Sequence, residues 1–449
     1  MVDKKPLSVA ERTILGILFS LLTAITGLVV YFSDKPINPG MSLIFLYEFK
    51  IAGLDPLDYL TLLMLFLIIV YYILRRRIII TTFHKYLFII FIIYAVAMIV
   101  GYVYGLFLDY PFDKWIQDLQ FIAYLLIYFI AAFEVFRTLK KWLFFYYYLI
   151  VIILLNGLSL ALSFYRNKMD LLIGFSGITA IGTDLVILAI PFFAILTRIF
   201  FLQENPLKKI AGGAGLFIYI FDIIVNQART IWLLFVFSLV YFIGILDLKR
   251  RIIISAVIVV LITGTIAYFQ TKQPKFWTLT KWRISSLVDV SSTQRNLSNA
   301  TRVAEVKNVI RRLIDHASFV QGMGLGAWWD GTEYRLPPGD WGSGFIGETR
   351  YYYTHLYFLS QLLKIGLAGT IIYWVLIVRL LWFSHRLYRK TPKQNPLAIS
   401  LLGLNIAFFH LAFCMASYLR VFLFMGLILA LIARLHLLME TETNDDRNN

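Results

Sequence analysis

The sequence predicts an all-α polytopic membrane protein, with about twelve transmembrane helices and one large outer loop between helices nine and ten. Three observations carry that expectation. Of 449 residues, 60% are hydrophobic and only 15% charged, with a mean hydropathy of +0.76, whereas a soluble domain carries roughly 25% charged residues. The apolar residues fall into runs along the whole length, and about 20 residues of helix cross a bilayer. A single long polar stretch, 270–355, interrupts them.

The runs lie near 13–32, 58–74, 86–106, 117–133, 142–163, 183–201, 210–226, 230–246, 252–269, 356–382, 397–415 and 418–438. The first follows Lys4, Lys5 and Arg12 and has no small-residue cleavage site behind it. It reads as a retained helix rather than a signal peptide. The chain then divides into helices one to nine (1–269), the outer loop (270–355), helices ten to twelve (356–438) and a polar cytoplasmic tail (439–449).

Orientation follows from the basic residues. Arg75, Arg76, Arg77 and Lys85 follow span two; Arg137, Lys140 and Lys141 follow span four; Lys208 and Lys209 follow span six. Lys249, Arg250 and Arg251 follow span eight, and Arg386, Arg389, Lys390 and Lys393 follow span ten. Every second loop is basic, which sets these loops and both termini in the cytoplasm. The formal net charge of +16 is therefore a topological signal, and a nucleic-acid partner is not expected. The 270–355 loop falls outside despite its own basic residues, since long loops translocate regardless of charge.

Within that loop, 299–316 has a helical period, with Val303, Val306, Ile310, Leu313 and Ile314 on one face. Arg302, Lys307, Arg311 and Arg312 lie around this face. The apolar stripe is expected to rest on the membrane or over a cavity. The run Gly322-Met323-Gly324-Leu325-Gly326 reads as a turn segment, and an aromatic, proline-rich run, Trp328–Tyr353, leads back to the membrane.

Four residues could carry chemistry at the outer face. His355 stands where the loop meets span ten; imidazole takes up a proton near neutral pH, or the residue simply caps the helix. Arg229 sits in the tight turn between spans seven and eight, where it either clamps an anion or pairs with Asp222. Arg302 opens the loop helix. Arg420 stands at the edge of span twelve, clamping an anion or snorkelling to headgroups. Arg311 and Arg312 read as contacts to lipid phosphates.

Other chemistry lacks its residues. Cys414 is the single cysteine, which excludes an intramolecular disulfide or a cysteine metal site. The six histidines are scattered, no outer Asp-x-Asp pair is present, and no phosphate-loop lysine motif occurs. No cofactor and no metal are expected.

Three segments occur in one order: NQARTIWLLF around Arg229, ATRVAEVKNVIRRLIDHASFVQGMGLG around Arg302, and THLYFLSQLLKIGLAGTIIY from His355. In this order and topology the chain resembles the O-antigen ligase and polymerase superfamily of bacterial envelope glycosyltransferases. The resemblance covers the C-terminal half; in the N-terminal half only the span count matches. Leu356 stands where that family usually has asparagine, Ala317 follows His316 where proline is usual, and Asp184 lies where asparagine often opens a span.

The resemblance implies a metal-independent GT-C-type enzyme of the bacterial inner membrane, with its site on the periplasmic side. Its donor would be a glycan on undecaprenyl diphosphate and its acceptor a hydroxyl of lipid A–core, making it an O-antigen ligase. A repeat-unit polymerase acting on a growing glycan is the alternative within the family, and a polysaccharide flippase or transporter the alternative outside it. By position, Arg229, Arg302 and Arg420 would hold the diphosphate and His355 would act on the acceptor hydroxyl. Chemistry agrees: preset guanidiniums stabilise the charge of a diphosphate leaving group, and a sugar hydroxyl gains from a positioned base.

Overall fold

The computed structural model describes residues 6–31, 54–138 except 77 and 79, much of 140–155, 205–226, much of 232–285, 297–334, 350–390 except 355, and 419–448. These form nine helices, with no strand among the described residues. They are α1 (Val9–Tyr31), α2 (Pro56–Arg75), α3 (Thr82–Leu108), α4 (Phe112–Val135), α5 (Pro206–Asn226), α6 (Leu248–Lys272), α7 (Leu297–Asp315), α8 (Tyr357–Lys390) and α9 (Leu419–Asn448). Six carry segments long and apolar enough to cross a membrane: Val9–Leu28, Pro56–Arg75, Thr82–Leu108, Phe112–Val135, Arg251–Lys272 and Tyr357–Arg386. Phe422–Leu438 is a shorter apolar stretch. The expected spans at 183–201 and 397–415 lie outside the described residues, and those at 142–163 and 230–246 are described only in part.

Local signals set the helix ends. Asp55 accepts from the Asp58 backbone N–H at 2.9 Å, and Asp58 accepts in turn from Asp55 at 3.1 Å. This reciprocal capping box, followed by Pro56, fixes the start of α2. Arg76 closes α2 and Asp109 closes α3, both in the left-handed region, so the chain reverses into the next helix within a few residues.

α9 packs along α4, whose second half is buried from Phe121 to Val135 almost without interruption. α1 and α2 pack on α4 as well, and α3 lies against α8. Aromatic rings fill the seams. Phe121 stacks on Phe422 at 5.1 Å, and Phe422 meets Tyr357 edge to face at 5.4 Å.

Polar groups gather at two opposite ends of this bundle. At one end Glu134, buried at the close of α4, takes hydrogen bonds from Tyr72 (3.0 Å) and Tyr71 (3.4 Å) and pairs with Arg137. Arg434 of α9 reaches it at 4.0 Å, and Arg75 of α2 bonds Tyr71 at 3.0 Å while facing Glu11 of α1 at 4.0 Å. A buried carboxylate is tolerable only with such partners. At the other end, the turn after α3 and the starts of α4 and α8 meet the segment that follows α7. Consecutive helices α2, α3 and α4 therefore alternate in direction. Both α8 and α9 run from the second end to the first, because Phe422 meets Tyr357 at the start of α8, whereas His436 stacks on Phe383 near its close.

Candidate site at the loop and the broken helix

The expected apolar helix after His355 is present as α8, but it is broken at Gly366, where φ is 67° and ψ −176°. That combination is essentially open only to glycine. A break frees backbone groups on both sides, and inside a membrane protein they need protein partners. The loop supplies them. Met323 donates to the Leu363 carbonyl at 2.8 Å and Gly324 to that of Lys364 at 2.9 Å. Beyond the break, Leu367 donates to Phe319 at 2.9 Å and Ala368 to Val320 at 3.1 Å. Residues 319–324 thus replace one turn of helix.

The glycine run that looked like a turn in the sequence is this inserted segment. Gly322, Gly324 and Gly326 all have φ near 80°. Gly324 lies directly against the backbone of Gly101 in α3, with no room for a Cβ. Leu325 donates to the Ala97 carbonyl at 3.2 Å.

An ion pair locks the insertion from below. Lys364 and Asp118 are both buried and hydrogen-bonded to each other, and the second carboxylate oxygen of Asp118 accepts from Gly326 N–H at 2.7 Å. The Lys364 ammonium also lies 4.9 Å from the ring centre of Tyr353. One charged pair therefore touches α4, α8, the glycine segment and the strand of chain that leads to His355.

That chain is held on both sides of the histidine. Trp329 and Tyr351 exchange backbone hydrogen bonds at 2.9 and 2.7 Å, and Trp329 Nε1 donates to the Tyr353 carbonyl at 3.1 Å. Thr354 donates its hydroxyl to the Leu356 carbonyl at 2.6 Å, and its N–H to the Ser360 hydroxyl at 3.1 Å. His355 itself, like Arg229, lies outside the described residues. Arg420 has its backbone on α9 two residues before Phe422, and its side chain is not among those described. Asp222, the alternative partner weighed for Arg229, is likewise described only as backbone.

Arg302 stands half-buried in the first turns of α7. The face of α7 that packs inward differs from the expected stripe. Thr301, Ala304, Glu305, Asn308, Val309 and Leu313 are buried, while Val303 and Ile314 are 48% and 57% exposed. Two things turn the helix. Val309 and Leu313 join Met323, Trp329, Leu359, Leu362 and Leu363 in one apolar cluster, so the start of α8 provides the cover. Asn308 bonds both backbone groups of Tyr334, at 2.8 and 3.1 Å, so a polar residue belongs on the inner face.

The two arginines read as lipid contacts separate. Arg311 is exposed and pairs with Asp315 at 3.0 Å and Glu333 at 3.4 Å. Arg312 turns inward instead: its guanidinium lies 3.4 Å from the ring centre of Trp328 and 3.4 Å from an Asp330 oxygen. Burial lowers its pKa from the usual value, opposed by Asp330. His316, next to α7, is also held below its usual value, by burial and then by Arg312. Burial pushes the Tyr110 phenol up; its hydroxyl donates to the Met323 carbonyl at 3.3 Å.

Sequence reasoning missed Asp118, Lys364 and Gly366. Their signal was legible: a lone acid and a lone base inside apolar runs are expected to find one another or a function. Among the described residues no group of three or more His, Cys, Asp or Glu side chains could hold a metal ion. No known protein-family model matches this chain, and no curated protein matches it.

Proposed function

We propose that this protein is a membrane glycosyltransferase that moves a glycan from undecaprenyl diphosphate to an acceptor hydroxyl, with lipid A–core as the acceptor. The single observation that carries this reading is the fixation of the His355 segment. A histidine acting as base must be held within about 3 Å of the hydroxyl it serves, and its neighbours Tyr353 and Thr354 are pinned to Trp329 and Ser360, with Leu356 accepting from the Thr354 hydroxyl. The half-buried Arg302 stands on the helix that packs on the same start of α8. The order of the three segments around Arg229, Arg302 and His355 supports the same reading.

In this account the site faces the periplasm of a bacterial inner membrane, the chain has about twelve spans, and both termini are cytoplasmic. Arg75 and Arg137 share one end of the bundle, as the alternation of basic loops requires. The common direction of α8 and α9 suits an eleventh span at 397–415. Arg229, Arg302 and Arg420 hold the diphosphate, His355 deprotonates the acceptor hydroxyl, and the bond from the anomeric carbon to the diphosphate breaks as the new glycosidic bond forms.

The test is complementation of bacteria lacking an O-antigen ligase, followed by analysis of lipid A–core and carrier-linked glycan. Glycan appearing on lipid A–core supports the ligase reading. Longer chains on the carrier would assign a polymerase. Unchanged glycan on every acceptor, with the protein present in the membrane, would sink the glycosyltransferase reading.

A further inference from the structure

Next to the bridge between Trp329 and Tyr351, two guanidiniums share one indole. Arg312 lies 3.4 Å and Arg350 4.7 Å from the ring centre of Trp328. Stacking of this kind holds an arginine's planar fork in a fixed orientation. Two like charges so close, and half withdrawn from water, repel each other and call for a counter-charge.

The acids nearby are unevenly shared. Asp330 reaches Arg312 at 3.4 Å, and its other oxygen takes the Thr332 N–H at 3.2 Å and the Thr332 hydroxyl at 2.5 Å. Asp315 and Glu333 are both engaged by Arg311. Arg350 meets no carboxylate among the described residues. Among the described residues Arg312 and Arg350 thus have one close carboxylate between them, Asp330, while Arg311 takes the other two. Two donors also stay unused: Arg312 Nε and Trp328 Nε1 are buried and hydrogen-bond to nothing among the described residues. Buried donors are almost always satisfied in native proteins.

We propose that Arg312, Arg350 and Trp328 form a binding site for a phosphoryl group, one that would engage both guanidiniums and the two idle donors together. Guanidinium forks match the oxygens of phosphate in paired contacts. The site is distinct from the Arg302 position. Ten residues of helix separate Arg302 from Arg312, a rise of about 15 Å, so one phosphate cannot touch both. The proposal rests on the geometry of the loop and does not depend on the glycosyltransferase reading. The phosphoryl group could belong to a soluble sugar phosphate or to a lipid headgroup.

The experiment uses the full-length protein in detergent, titrated with inorganic pyrophosphate by calorimetry. Saturable binding is expected to weaken with salt, to weaken about 10- to 100-fold in Arg350→Gln, and to survive in Arg311→Gln and His355→Ala. Equal affinity of wild type and Arg350→Gln, or loss in Arg302→Gln alone, would overturn the site. If Arg350→Gln folds poorly, phenylglyoxal labelling of the wild type replaces it. Pyrophosphate should slow the modification of Arg350 read by mass spectrometry, and an unchanged rate counts against the proposal. In nanodiscs, competition by added phosphatidic acid identifies a lipid source, and undiminished pyrophosphate binding identifies a soluble one. Absence of binding to both probes rejects the site. Because no turnover is measured, failure of glycan transfer leaves this result readable.

Discussion

Lys364 and Asp118, 246 positions apart in the chain, form a buried ion pair whose carboxylate also holds the Gly326 N–H at 2.7 Å. Removing one partner leaves a buried charge uncompensated, which costs about 3–5 kcal/mol. Asp118→Asn and Lys364→Met should each lower thermal stability in detergent strongly. The double variant should be milder than the sum of the two. Strict additivity in this cycle would show that the residues do not interact.

Gly366 holds the break in α8. Any other residue there adopts a costly backbone, about 1–3 kcal/mol, and its Cβ would press on the backbone of Val320 and Gly322. Gly366→Ala should therefore loosen residues 319–324 more than the bundle. Hydrogen exchange is the measurement: faster exchange at Met323, Gly324, Leu367 and Ala368, with α4 unchanged. Uniform protection in the variant would mean that the break tolerates a side chain.

In a glycan-transfer assay, His355→Ala should abolish activity in a protein that still folds. Arg229→Lys should be severe, since an ammonium cannot make the paired contacts of a guanidinium. Arg311→Ala should be mild, because that side chain is exposed and bound to two surface acids, where ion pairs contribute about 0–1 kcal/mol. Turnover should also persist in EDTA. Near-normal transfer by folded His355→Ala would falsify the base assignment.

A membrane-impermeant thiol reagent should label Asp340→Cys from the outer side in a Cys414→Ser background. Labelling only after the membrane is opened would reverse the orientation and remove the periplasmic site with it.

The histidine beside α7 gives a pH prediction. Burial and Arg312 hold His316 below its usual value of 6.5, so the folded protein binds the proton less readily than the unfolded chain. Stability contributed by the neutral form is complete above pH 6.5 and declines as pH falls below it. His316→Gln should flatten the acid side of a melting-temperature profile between pH 7 and 5. An unchanged slope would show that other groups carry it.

The sequence by itself determined the membrane character, the helical class and the helix positions where apolar runs are long. These depend on local quantities: about 20 apolar residues suffice for a span, and capping residues such as Asp55 and Pro56 act within one turn. It also marked the glycine run as a turn, because positive φ is a property of single residues. The tertiary structure alone decided what those pieces meet. Whether Asp118 and Lys364 are neighbours depends on how α4 packs against α8, and no spacing within either run encodes that distance. The inward face of α7 likewise follows from its partners, since Asn308 finds the Tyr334 backbone and Leu313 finds Leu362 and Leu363. Hydropathy ranks Val303 and Ile314 as buried residues, but burial is settled by the surface that arrives from elsewhere in the chain.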